Sequence, residues 1–272
     1  MKFTVLIENS GREPLQSEHG LSFLIEYCGE QFLLDAGTTD AFLDNAKILG
    51  VSMDHVETCF LSHGHYDHSG GFARYLSEQK DAALYMMEGA TDDFYSDSKE
   101  IIHPIGIPKE VVEKHSERFR YVHDVTEIKK GIYLIPHHTD NLFEIGERAK
   151  LYRKVGDKLV PDDFSHEMSL VFETEKGLVI FNSCSHGGSQ NIIHEVMEVM
   201  PEKKVYAFIG GLHMMGGLFS DEEIYGLCEE LKELELELLY TGHCTGEDAL
   251  AVLKKYMGRH VKELYTGLTV EL

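Results

Sequence analysis

Apolar positions early in the chain come in short runs and alternations. Residues 2–7 alternate and are rich in β-branched side chains, which predicts a strand. Runs at 21–27 and 31–34 flank Cys28-Gly29-Glu30 and predict a hairpin that ends in Asp35-Ala36-Gly37. Phe42, Leu43, Ala46 and Leu49 then follow helical spacing, with Gly50 as the terminating residue. A strand at 56–61, a short helix at 72–77 and a strand at 82–87 complete the first part. Residues 90–125 and 137–165 have no clean period and read as insertions covering a site, separated by a strand at 131–135. From 168 onward regularity returns. Strands at 168–174 and 177–182 are joined by Glu175-Lys176, and strands at 204–209 and 236–240 alternate with helices. Helix 221–234 carries Ile224, Leu227, Cys228, Leu231 and Leu234 on one stripe, with Ser220 and Glu223 spaced as a capping box. Helix 247–257 and a strand at 262–270 close the chain.

One junction recurs. Four apolar strands run into a glycine-rich, histidine-bearing segment: His63/His65/His68, His186, His213 and His243. In three of the four a helix starts within a few residues. Loops after parallel strands lie on one edge of a sheet, where open α/β folds keep their sites. Glycine admits a close ligand, and helix N-termini favour an anion. Histidines distant in sequence are thereby drawn together, within a single domain spanning 1–272.

Charge changes the picture by exclusion. The 25 basic and 47 acidic residues give a net charge of −22, which opposes nucleic acid and anionic membrane surfaces as partners and leaves a small molecule. Five cysteines without a C-x-x-C spacing do not form a disulfide framework, and no apolar run is long enough to span a bilayer. These features predict a cytoplasmic protein; nothing in them fixes an oligomeric state.

The densest chemistry is His63-Gly64-His65-Tyr66-Asp67-His68, directly after the apolar run 56–61 and closed by Ser69-Gly70-Gly71. Imidazole and carboxylate are the ligand types of a zinc-like cation. The bland alternative is a solvated, histidine-rich turn, but attachment to a strand and the glycine closure favour ligands. His186 and His243 could instead cap the helices that follow them. His103, His137, His138 and His166 read as surface or hydrogen-bonding residues.

At H-x-H-x-D-H the chain resembles the metallo-β-lactamase fold superfamily. Asp35-Ala36-Gly37, Cys184-Ser185-His186-x-Gly188, Gly210-Gly211-x-His213 and Gly242-His243-Cys244-Thr245-Gly246 resemble its dihydropteroate-synthase-like branch. The resemblance implies an α/β fold, a four-layered αββα sandwich with two metal positions at one edge. It implies His63 and His65 on the first metal, and Asp67, His68 and His243 on the second. The middle of the pattern departs from the usual arrangement. There His186 is the expected ligand, with Cys184 as its alternative or a supporting group, and Glu167 as a residue that orients a ligand imidazole. The implied cofactors are two divalent ions, zinc first, with iron or manganese as alternatives. The implied activity is a metallo-hydrolase in which a metal-activated hydroxide, oriented by Asp67, attacks an ester-like or phosphoester bond of a small anionic substrate, with His213 contacting the developing anion. A mononuclear-iron redox enzyme on the same fold and a non-catalytic metal-dependent binding module remain alternatives.

Overall fold

Cys28 and Gly29 both have positive φ, 51° and 82°, the geometry of a two-residue hairpin turn matched to strand twist. It pairs Ser22–Tyr27 with Glu30–Leu34 from Tyr27 opposite Glu30 onward. The computed structural model describes residues 1–98 and 100–272. The hairpin sits inside a seven-stranded sheet ordered Thr269–Glu271, Lys2–Ile7, Ser22–Tyr27, Glu30–Leu34, Thr58–Phe60, Ala83–Met87, Phe119–Val122. Pairing is antiparallel up to Glu30–Leu34 and parallel beyond it. A second seven-stranded sheet runs Val261–Glu263, Leu238–Thr241, Val205–Ile209, Gly177–Phe181, Met168–Thr174, Ile132–Pro136, Thr126–Lys129, with its first four strands parallel.

The inner faces of the two sheets share one aromatic core. Phe181 of the second sheet packs edge-on against Phe3 and Phe23 of the first, at centroid distances of 5.7 and 5.5 Å. Each outer face buries its own helices. Phe42, Phe72 and Val111 come from Ala41–Leu49, Phe72–Glu78 and Lys109–His115 on one side. Ile192, Leu227 and Leu253 come from Ser189–Val199, Asp221–Glu233 and Glu247–Met257 on the other. The result is the four-layered αββα sandwich. The capping box of Ser220 and Glu223 is formed, and Gly50 closes its helix in the left-handed conformation.

Two expectations are corrected. The strand expected at 262–270 is two strands in different sheets, Val261–Glu263 and Thr269–Glu271. Between them the chain crosses the open end of the sandwich, with Leu264 N–H bonded to Thr241 O and Gly267 N–H to Val5 O. Alternation continues through such a crossing, so the pattern alone does not reveal it. The two cover insertions are also not separate. Phe94–Ser98 and Ile101–Pro104 pair with Leu151–Val155 and Lys158–Pro161 in one four-stranded sheet. It has a small core of its own around Phe94, Ile105, Leu142, Leu151 and Phe164. The rest of 90–125 belongs to the sandwich, through helix Lys109–His115 and edge strand Phe119–Val122. Among the described residues no helix is long and apolar enough to cross a membrane.

Candidate metal centre

Strand ends at Leu34, Phe60, Phe181, Ile209 and Thr241 all run out on one edge of the sandwich, delivering Asp35, His63–His68, Cys184 with His186, His213 and His243. Four of these junction residues are non-glycine with positive φ: Asp35 (57°), Ser185 (53°), His213 (48°) and His243 (49°). Left-handed backbone is costly outside glycine, least so for Asp, and tends to cluster at functional sites.

The side chains form two adjoining groups. His63, His65 and His186 each bring a ring nitrogen to within 4.8 Å of the others. His63 Nε2, His65 Nε2 and both ring nitrogens of His186 are buried without a hydrogen-bond partner. Burial, then the neighbouring imidazoles, holds His63 and His186 far below the ordinary imidazole range, and His65 is lowered to about 3. Rings so biased are neutral and keep a lone pair to donate. Phe164, stacked on His186 at 4.6 Å and 9°, fixes that ring's plane.

In the second group His68 Nε2 lies 3.2 Å from His243 Nε2, and Asp67 Oδ2 lies 3.5 and 3.4 Å from these two nitrogens. Burial alone would lower the pKa of His68, but Asp67 and Asp35 overcome it and push it up to about 9. Burial alone would raise Asp67, but His68 and His243 overcome it and hold the carboxyl well below its usual range. This pocket attracts positive charge.

Cys184 stands between the groups. Its Sγ is 3.2 Å from His68 Nε2, and it also clusters with His63. Burial, then the adjacent Cys244, pushes its thiol up. Expected as alternatives, Cys184 and His186 are both present at the centre, each clustering with His63. Glu167 is placed differently from the expectation. Its two oxygens accept from the backbone N–H groups of His186 and Gly187, at 2.9 and 3.0 Å, so it braces the loop rather than an imidazole. His213 sits with its ring 4.2 Å from that of His186 and its Nδ1 unpartnered. His166 and His137 are buried in hydrogen bonds, to Asp162 and Gly64 N–H and to Glu195 and Ser169; His138 and His103 are exposed.

A cavity of about 300 Å³ opens over the centre, bordered by His65, Asp67, His186, His213 and the cover residues Ser96 and Leu151. A larger groove of about 830 Å³ lies at the opposite ends of the second sheet's parallel strands, around Lys176, Lys204 and Glu237. None of the metal-capable clusters found among the described residues borders it.

The metallo-beta-lactamase superfamily profile matches residues 17–145. A solved structure described as a metal-dependent hydrolase of the beta-lactamase superfamily is 31% identical, covers 100% of this chain and 99% of its own, and superposes with a TM-score of 0.86. The chain belongs to the metallo-beta-lactamase superfamily. A curated relative, the 7,8-dihydropterin-6-methyl-4-(beta-D-ribofuranosyl)-aminobenzene-5′-phosphate synthase of Methanocaldococcus jannaschii, is 28% identical over 95% of this chain and 91% of its own. The Zn²⁺-bound PqqB of Methylobacterium extorquens, 11% identical over the full length of both chains with a TM-score of 0.61, shares the fold.

As a superfamily member the chain has a fold that usually binds metal ions, and its own donors fit that use: buried, unpartnered nitrogens that converge. The sequence reading passed over four of its supports. His19, on the loop before the hairpin, reaches Asp67 Oδ2 at 3.3 Å and stacks on His243. Asn9 Oδ1 lies 2.8 Å from His243 Nδ1, and Glu8 accepts the His243 backbone N–H. Asp35, in the Asp35-Ala36-Gly37 motif, lies 2.8 Å from His68 Nδ1. Of these, only Asp35 carried a usable signal, a carboxylate ending an apolar strand.

Proposed function

We propose that the chain is a metal-dependent hydrolase in which an activated water attacks an ester-like or phosphoester bond of a small, anionic substrate. The observation that carries this reading is the convergence of buried, unpartnered nitrogens from His63, His65 and His186 beside the Asp67, His68 and His243 group. His63, His65 and His186 would hold one divalent cation. Asp67, His68 and His243 would hold a second, with Cys184 between them. Mixed imidazole, carboxylate and thiolate donors suit zinc, with iron or manganese as alternatives. Such cations, when bound, supply Lewis acidity and bring the ionisation of water to near pH 7.

The chain's own groups do the rest. Asp67 keeps its negative charge and orients the attacking water. His213, beside His186 and bordering the cavity, holds a proton at Nδ1 for the developing oxyanion. The cover sheet walls the cavity and limits bulk water. A net charge of −22 agrees with a small molecule rather than a nucleic acid as partner.

The test measures metal content and turnover of phosphodiester, lactone and thioester substrates in the wild type and in His65→Ala. Loss of both metal and turnover supports the reading. Undiminished activity with unchanged metal content overturns it. A second reading follows from the Methanocaldococcus relative, whose name is that of a synthase. On that reading the same residues form a bond, and the phosphate in that compound's name agrees with an anionic reactant. Product that appears only when two reactants are supplied would favour the joining reaction.

A further inference from the structure

A second cavity, about 350 Å³, lies beside the centre between cover helix Leu142–Ala149 and helices Ser189–Val199 and Asp221–Glu233. His186 and His213 border both cavities, so their rings stand between the two spaces. One wall is the start of helix Ser189–Val199. Gly188 precedes that helix and gives it no side-chain cap. Its first-turn N–H groups, at Ser189, Gln190 and Asn191, find no acceptor among the described residues. Ser189 borders the cavity at 3% exposure, and its Oγ is buried without a partner. A hydroxyl taken out of water and given no partner is unfavourable, and here it stands with the unpaired donors of a helix start.

Leu212, Met214, Phe219 and Leu227 give the lining an apolar part, beside the polar Gln190 and Asn191. Arg148 also lines the cavity. Its guanidinium forks onto Glu223 with two contacts of 2.9 Å and lies 4.6 Å over the Phe219 ring. Glu223 is thereby neutralised, and the other carboxylate, Glu230, stands exposed at the rim.

We infer that this cavity seats the non-reacting end of the ligand. That end is an oxyanion, a phosphate monoester or carboxylate, held by Ser189 Oγ and the first-turn N–H groups. It is carried on an apolar body packed against Leu212, Phe219 and Leu227. The inference rests on the hydrolase reading only in calling this ligand a substrate; the anion seat itself rests on Ser189 and the helix start.

The experiment is calorimetric titration of the metal-loaded protein with phenylphosphonate and, separately, phenylacetate, with metal content measured on every sample. The tighter-binding probe identifies which oxyanion the seat takes. Ser189→Asp, which puts a carboxylate in the seat, should weaken binding by about tenfold or more at unchanged metal content. Ser189→Ala should weaken it by a smaller factor, and it keeps the test open if Asp disturbs folding. Phe219→Ala should remove the advantage of phenylphosphonate over methylphosphonate. Absence of saturable binding to the wild type overturns the inference. So does binding that Ser189→Asp and Ser189→Ala leave intact but metal removal by His65→Ala abolishes, because the anion then sits at the metal centre. Failure to find any hydrolysed substrate would sink the hydrolase reading and leave these binding results standing.

Discussion

Asp35 Oδ2 lies 2.8 Å from His68 Nδ1 and 2.7 Å from Ser62 Oγ, and Ser62 Oγ lies 2.8 Å from His63 Nδ1. A carboxylate only accepts, so His68 Nδ1–H and the Ser62 hydroxyl both donate to it. Ser62 Oγ then accepts from His63 Nδ1–H. One buried carboxylate therefore fixes the tautomers of two site histidines and leaves Nε2 of each facing the centre. Asp35→Asn breaks that chain of donors without changing volume. The variant should bind metal about 10–100-fold more weakly, in proportion to what such supporting partners contribute. Competition with a chelator of known affinity measures this, and wild-type affinity would show that the tautomers are set elsewhere.

Gly64 separates His63 from His65 in a tight space. A Cβ there would stand 2.3 Å from Ala90 O and 2.7 Å from the Phe94 ring. Its N–H also donates to His166 Nδ1 at 3.0 Å, and His166 is held in turn by Asp162. Gly64→Ala must push the loop off the cover sheet. Overpacking of this kind costs about 1–3 kcal/mol, and it moves both flanking ligands together. Lower metal stoichiometry along with a lower melting temperature is the expected result. An unshifted melting curve with full metal loading would contradict it.

The fold and the centre were legible in the chain to different depths. The H-x-H-x-D-H spacing and the strand-to-glycine junctions at Cys184, Gly210 and Gly242 are local patterns. They marked the histidines of both groups but not His19 or His166, which lie against them. The supports were not legible, because Glu8, Asn9 and His19 reach His243 and Asp67 across more than 45 residues and belong to an ordinary polar loop. The choice between Cys184 and His186 could not be resolved for a related reason. The left-handed Ser185 between them (φ 53°) turns the chain after the strand, so both side chains reach one centre, a bend that residue spacing does not reveal. The final crossing at 264–268 hid in continuing alternation, and the cover sheet hid because its four strands come from two segments more than forty residues apart.

Glu195 supplies a pH dependence away from the ligands. Burial opposes its ionisation, but His137, Thr139 and the His138 N–H overcome this and lower its pKa. His137 Nδ1 is 2.6 Å from one carboxylate oxygen, and the other accepts from His138 N–H at 3.1 Å. A carboxyl depressed in the folded state contributes stability above its unfolded pKa of about 4.3 and loses it as pH falls through the lower folded value. Glu195→Gln should lose about 1–2 kcal/mol at pH 7 and show a flatter decline below pH 4.5 than the wild type. Urea unfolding from pH 3 to 7 measures both, and parallel curves would remove Glu195 from the account.

Phe181 tests what holds the two sheets together. It is fully buried and packs edge-on against Phe3, Phe23 and Phe172 at 5.7, 5.5 and 5.9 Å. It also ends the strand that delivers Cys184 and His186. Phe181→Ala leaves a cavity between rigid sheets that cannot close over it, so the cost should fall in the range of about 3–5 kcal/mol. Phe181→Leu retains most of the volume and should cost less than half as much. Because the cavity lies between the sheets while the ligands hang from the strand ends, protein that remains folded should keep its metal stoichiometry. A core contribution predicts lost stability with intact loading. Metal loss in folded Phe181→Ala would instead mean that packing behind the strand end positions the ligands directly.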